Sequence, residues 1–274
     1  MASGTGRPER RATRLMAGGA GLISLSVLAD SAVEHYRGSF RNRAMVLPLA
    51  ASAAELVVTG WRGVSPSRAS RRGSASHGAA AAIGLIGLGF HLVNVGKRVG
   101  GVSWNNLFYG APIGAPAALT LAGALGAAAE ALGRGRGSLG PIPLRSGRAI
   151  GALTSAGLVG TAAEAGLLHF RGAYHNPFMW APVTLPPLTA AALARDSIRG
   201  EPGRGTAALL TLTVLLGFVG SAFHAYGVSR NMGGWVNWRQ NLVVGPPVPA
   251  PPSFTGLALA GLGALALMRR RSSG

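Results

Sequence analysis

The sequence predicts an all-α integral membrane protein with eight transmembrane helices, arranged as two tandem four-helix halves with both termini cytoplasmic. Three observations carry this expectation. Hydrophobic residues make up 48% of the 274-residue chain and charged residues only 12%, whereas a soluble protein carries about 25% charged residues. The charges are gathered into short linkers between long apolar runs, as in a polytopic membrane protein. The apolar runs also repeat, with matched histidines at the same place in each unit.

The elements follow in order. Residues 1–14 are polar and basic, and the apolar segment after them lacks a small-residue cleavage site, so no cleaved signal peptide is expected. Apolar segments then cover residues 15–36, 44–61, 78–95 and 113–132, which form the first half (15–132). An Arg/Gly/Pro linker spans 133–148. The second half (149–268) contains segments 149–170, 178–194, 206–226 and 254–268, and a basic tail closes the chain at 269–274. Each segment is close to the ~20 residues that cross a bilayer as a helix. Many are rich in Gly and Ala, which let helix backbones approach closely in lipid.

Orientation follows from the basic residues. Of the 26 Lys and Arg, 18 fall on the side of the termini and 8 on the other, and the positive-inside rule makes the richer side cytoplasmic. The chain is therefore expected in the plasma membrane as a multi-pass protein. The net charge of +18 does not indicate nucleic acid, because the arginines sit in short linkers rather than on one face or in a recognition motif. The chain has no cysteine, which excludes disulfides, thiolate metal sites, iron–sulfur clusters and c-type haem attachment.

The repeat is read by setting His35, His91, His169 and His224 as the origin of four quarters. Three residues on stand Gly38, Asn94, Gly172 and Gly227, types that end helices. Six on stand Arg41, Lys97, His175 and Arg230, and seven on Asn42, Arg98, Asn176 and Asn231. Prolines then precede or open the return helix in each quarter, where a missing N–H costs least. The first and third quarters share His-aromatic-Arg-Gly and an acid five residues before the histidine, Asp30 and Glu164. The second and fourth share Phe-His and a Gly-Gly pair, Gly100-Gly101 and Gly233-Gly234, expected as turns. Each pair of quarters makes one half, and the halves share one orientation.

Three groups of residues could carry chemistry. The four matched histidines sit in last helical turns near the outer face. They suit ligation of haem b or another metal, as two bis-histidine haem sites or one four-histidine metal site. Equally, each could cap its own helix end and interact with the dipole there. Arg37, Arg171, Arg230 and Arg239 could pair with haem propionates.

The second group is the carboxylates within apolar segments, Asp30, Glu34, Glu55 and Glu164, expected to face the bundle interior and pair or stay protonated. Glu130, near the inner end of its segment, is expected to snorkel to water. The third is an outer-loop set: Trp104, Asn105, Asn106, Trp180, Asn231, Trp235, Asn237, Trp238, Arg239 and Asn241. Every Asn and Tyr and four of the five Trp lie on that side. They suit a surface for an extracytoplasmic protein partner or a quinone, or interfacial anchoring.

The function expected from this pattern is a membrane subunit of an electron-transfer system, within a hetero-oligomeric complex and with quinone as a possible partner. The alternative is a non-redox anchor or proton-coupled transporter that docks a partner through its outer loops. No nucleophile–base constellation for a hydrolase is readable.

Overall fold

A computed structural model describes residues 6–64 and 70–271. Arg68 and positions 1–5 and 272–274, which belong to the expected basic linker and chain ends, lie outside the described residues. The chain forms α1 (Arg7–Arg37), α2 (Leu47–Val64), α3 (Arg71–Gly96), a short α4 (Trp104–Tyr109), α5 (Gly114–Gly133), β1 (Ser138–Leu139) and β2 (Ile142–Pro143). It continues as α6 (Arg148–Arg171), α7 (Ala181–Arg199), α8 (Arg204–Ser229), a short α9 (Trp238–Val244) and α10 (Pro252–Arg271). The two strands make a single antiparallel hairpin with Leu139 opposite Ile142.

Among the described residues, seven helices are long and apolar enough to cross a membrane: α1, α2, α3, α5, α6, α8 and α10. The eighth expected span lies in α7. Its last turns carry Arg195, Asp196 and Arg199, leaving an apolar run shorter than the ~20 residues of a full crossing. Helices also begin earlier than expected. α1 starts at Arg7 and α3 at Arg71, so basic residues continue the helices past the apolar segments.

The long helices pack as two rings of four, α1–α2–α3–α5 and α6–α7–α8–α10, joined chiefly where α1 lies along α10. Small residues make that seam. A Cβ on Gly19 would fall 2.4 Å from the Gly256 carbonyl, and one on Gly256 would fall 2.5 Å from the Gly19 carbonyl. The backbones therefore touch there, the contact that drives helix association in lipid. Met16 and Ile23 of α1 fill the same seam against Gly263 and Gly256, each with at most 1% exposure. Within the first ring, Gly84 and Gly123 do the same for α3 on α5, against Thr120 N and Ala81 N.

The bundle has two chemically distinct ends. The basic end gathers Glu9 near Arg145 at 3.4 Å, Arg62 with Glu130, and the Arg148 guanidinium on the Ser197 and Ile198 carbonyls at the close of α7. The opposite end carries the four repeat histidines and every tryptophan but Trp61.

Glu130 does not snorkel. It is 1% exposed, its Oε2 lies 2.8 Å from Arg62 Nε, and its Oε1 accepts from Ser70 N. The early start of α3 explains the difference, because it places the N-cap residue Ser70 over the carboxylate. Gly133 keeps α5 bare where a Cβ would collide with the Arg62 guanidinium.

Candidate functional site

Each repeat histidine is held the same way. Its ring Nδ1 lies on a backbone carbonyl just before or within the return segment of its own quarter: His35 on Met45 at 2.7 Å, His91 on Pro112 at 2.5 Å, His169 on Met179 at 2.8 Å and His224 on Pro247 at 2.7 Å. A carbonyl only accepts, so Nδ1 carries the proton and Nε2 is the ring's remaining acceptor. Such a bond fixes both tautomer and ring orientation, as it does for metal-bound histidines.

Local sequence builds these tethers. In the first and third quarters Asn42 and Asn176 cap a short 3-10 turn by accepting from Ala44 N and Phe178 N, and the turn presents the Met45 or Met179 carbonyl. Gly38 and Gly172 stay bare to admit those methionine side chains, at 3.2 and 3.1 Å from an ideal Cβ. These glycines have φ of −78° and −84°, and the left-handed conformation falls on the next two residues. Ser39 and Phe40 have φ of 55° and 45°, Ala173 and Tyr174 55° and 46°. Non-glycine residues adopt such values at a cost of order 1 kcal/mol or more each. The turn sets Phe40 edge-on to His35 and Tyr174 edge-on to His169, with ring centres 6.1 Å apart in both.

The histidines fall two to a half, on helices that face one another diagonally within a ring, and in the second half the two rings come together. In the second half His169 of α6 and His224 of α8 have ring centres 6.4 Å apart at 73°. In the first, His35 of α1 lies within electrostatic reach of His91 of α3. A single four-histidine metal site is not assembled. Among the described residues no three His, Cys, Asp or Glu side chains gather where they could hold a metal ion.

No family model, curated protein or solved structure matches this chain.

The carboxylates divide. Glu164 accepts from Gly114 N at the start of α5 at 3.0 Å, bridging the two halves. Asp30, its counterpart in the repeat, is partly buried and within electrostatic reach of Glu34, Glu164 and Arg37. Glu34 is not an interior carboxylate. It is a third exposed and pairs with Arg37 at 2.6 Å, a surface ion pair of small worth. Glu55 is fully buried and meets His77, which sequence reasoning did not single out. His77 precedes the apolar segment from which α3 was read, so only the helix start at Arg71 reveals it as a bundle residue.

The outer-loop set also divides. Asn106 and Asn241 are buried at 6% and 3% and close their own loops. Asn106 Nδ2 donates to the Val99 and Gly101 carbonyls, Asn241 Nδ2 to those of Met232 and Gly234. Gly100, Gly101, Gly233 and Gly234 supply the positive φ these turns need. The two asparagines are thus loop clamps rather than surface groups, and Asn231 is half-buried beside Gly245. Trp104, Trp180, Trp235 and Trp238 remain about half exposed or more. Arg171 lies over Phe108 and Tyr109, Arg230 over Tyr226 and Arg239 over Trp238. Trp180 stacks on Tyr174 at 4.2 Å, linking this aromatic rim to the His169 tether.

Proposed function

We propose that the chain is a membrane subunit of an electron-transfer system, crossing the cell membrane eight times with both termini cytoplasmic. In this reading His35 with His91, and His169 with His224, each hold a haem b or another metal near the outer face. The single observation that supports it is the common tether: four imidazoles, each oriented through Nδ1 on a backbone carbonyl so that Nε2 is the remaining ring acceptor.

The spacing suits the chemistry. Two imidazoles that held one metal through Nε2 from opposite sides, with metal–nitrogen bonds of about 2.0–2.1 Å, would have ring centres about 6.3 Å apart. The His169–His224 centres lie 6.4 Å apart. A pair of ligands fits haem iron better than a bare ion, because the macrocycle supplies the other four nitrogens. Such a group, when bound, passes one electron at a time. Arg171 and Arg230 stand at the same end as candidates for propionates, and the exposed Trp rim is the surface offered to an extracytoplasmic partner within a larger complex.

A second reading, a proton-coupled transporter or a non-redox anchor, rests on Asp30 and Glu164. Both are acids within apolar helices near the join between halves, and one of them contacts the other half. Optical spectra separate the two. The purified protein is recorded oxidised and dithionite-reduced, with metal analysis. The redox reading expects a reduced b-type band. A preparation that stays colourless and metal-free when expressed with added haem refutes it.

A further inference from the structure

Burying an ionisable pair in a helix bundle is seldom more stabilising than burying apolar groups of the same volume. The first half nevertheless buries one. Glu55 of α2 and His77 of α3 are 0% and 1% exposed, and His77 Nδ1 lies 2.7 Å from both carboxylate oxygens. At the matching positions of the repeat the second half carries Thr189 and Leu210, and Thr189 pairs with the Thr213 hydroxyl at 3.0 Å. The architecture is built there without the dyad, which points to a use for it in the first half.

The surroundings are shaped to the dyad. Gly126 of α5 is bare where a Cβ would fall 2.4 Å from Glu55 Oε1 and 2.5 Å from His77 Nδ1. With Nδ1–H on Glu55, the other ring nitrogen, Nε2, is buried and without a hydrogen-bond partner among the described residues. His77 lines a cleft of about 390 Å³ between α3 and α5, within the usual range for small-molecule sites. Its wall is small and apolar (Ala81, Gly123, Ala127), and Ser74, Arg134 and Arg136 stand at the basic-end mouth.

We propose that this cleft binds the headgroup of a lipid-soluble quinol, whose hydroxyl donates to His77 Nε2 while Glu55 holds the imidazole from behind. The chemistry selects the class. A wall of Ala and Gly admits a flat ring and leaves its tail in lipid. The unpartnered nitrogen, in the tautomer Glu55 imposes, accepts a hydrogen bond and so calls for a hydroxyl. The phosphodiester of an anionic lipid brings only acceptors and engages Arg134 and Arg136 without satisfying His77. When the hydroxyl proton passes to Nε2, the products are a quinol monoanion and an imidazolium stabilised by the Glu55 carboxylate, with no electron moved. Use of the bound quinol as an electron donor rests on the electron-transfer reading above; its binding does not.

The test is calorimetric titration of the full-length protein in detergent with a decyl-chain benzoquinol kept reduced, and separately with its dimethyl ether. One quinol per chain is expected, with the ether weaker by about tenfold, the loss of one hydrogen bond. His77→Phe and the cleft-filling Ala127→Phe should each weaken binding by at least as much. Ala81→Leu is a milder cleft variant if Ala127→Phe misfolds. No quinol binding by the folded wild type, equal binding of the ether, or displacement by phosphatidylmethanol (a phosphodiester lipid with no headgroup hydroxyl) with no effect of the His77 variant overturns the proposal. Absence of haem from the same preparation counts against the electron-transfer reading alone and leaves this titration valid.

Discussion

Replacement of His224 by alanine separates a ligand from a helix cap. The side chain makes one hydrogen bond in the structure, Nδ1 to the Pro247 carbonyl at 2.7 Å, worth about 0.5–1.5 kcal/mol net. With the packing it loses against the His169 ring, the variant should unfold with a stability lower by about 1–2 kcal/mol, a shift of a few degrees in a chain of this size. Its effect on a bound group is of another order. His224 supplies half of one pair, and His35 with His91 stands apart in the other half, so haem per chain should fall from two to one. The His35→Ala, His169→Ala double variant should bind none. Haem is extracted and counted against protein, with a thermal melt of the same samples. His175→Ala, outside both pairs and exposed, is the control and should change neither quantity. If His224→Ala and His35→Ala each cost the expected few degrees and leave the haem count untouched, the histidines are caps and the ligand argument fails.

Other outcomes follow from the packing. Arg62→Ala or Glu130→Ala breaks an ion pair whose side chains are 3% and 2% exposed and should cost about 3–5 kcal/mol; the double variant, leaving no lone buried charge, should cost less than the sum, as read by denaturant unfolding in micelles. Gly256→Ala drives a methyl onto the Gly19 carbonyl and Ile23, and a loss of about 1–3 kcal/mol is expected; wild-type stability would show that the α1–α10 seam is looser than described. Asn241→Ala leaves the Met232 and Gly234 carbonyls without their donor and should open that loop to protease. Cleavage is expected in right-side-out vesicles, and cleavage confined to inverted vesicles would reverse the proposed orientation.

How far the sequence could be read depended on the range of the interaction. All the long helices were legible from apolar runs, because crossing length is a property of one segment. The repeat was legible because duplication copied local chemistry: the asparagine caps, the glycine turns and the histidine tethers all act within a single quarter. Interactions between quarters were not legible. Glu55 meets His77 and Arg62 meets Glu130 across helices, and no periodicity announces such partners. Helix starts were misplaced because Arg7 and Arg71 are polar, and a hydropathy reading stops where the apolar run stops although the helix continues. The short α4 and α9 have too few residues to show a period. Asparagine misled for a related reason: its restriction to one side suggested a surface, whereas Asn42, Asn106, Asn176 and Asn241 are there to fix turns.

The two ends of the bundle have diverged to different degrees, and this bears on what each is for. At the histidine end the halves agree in detail. His35 and His169 reach the carbonyl of the tenth residue on, Phe40 and Tyr174 take the same strained conformation, and Asn106 and Asn241 close equivalent loops. A strained turn copied twice argues that the aromatic–imidazole contact itself is what is maintained, since a relaxed turn would connect the helices as well. At the basic end a buried carboxylate accepts from the capping N–H of a long helix in both halves, Glu130 from Ser70 and Asp196 from Gly203, but the rest differs: the first half has Glu55–His77 and Arg62–Glu130, the second a threonine pair. If both ends bind, they should do so with different stoichiometry, two equivalent groups per chain at the histidine end and one ligand at the basic end. Equal numbers at both ends would contradict the asymmetry on which the dyad argument depends.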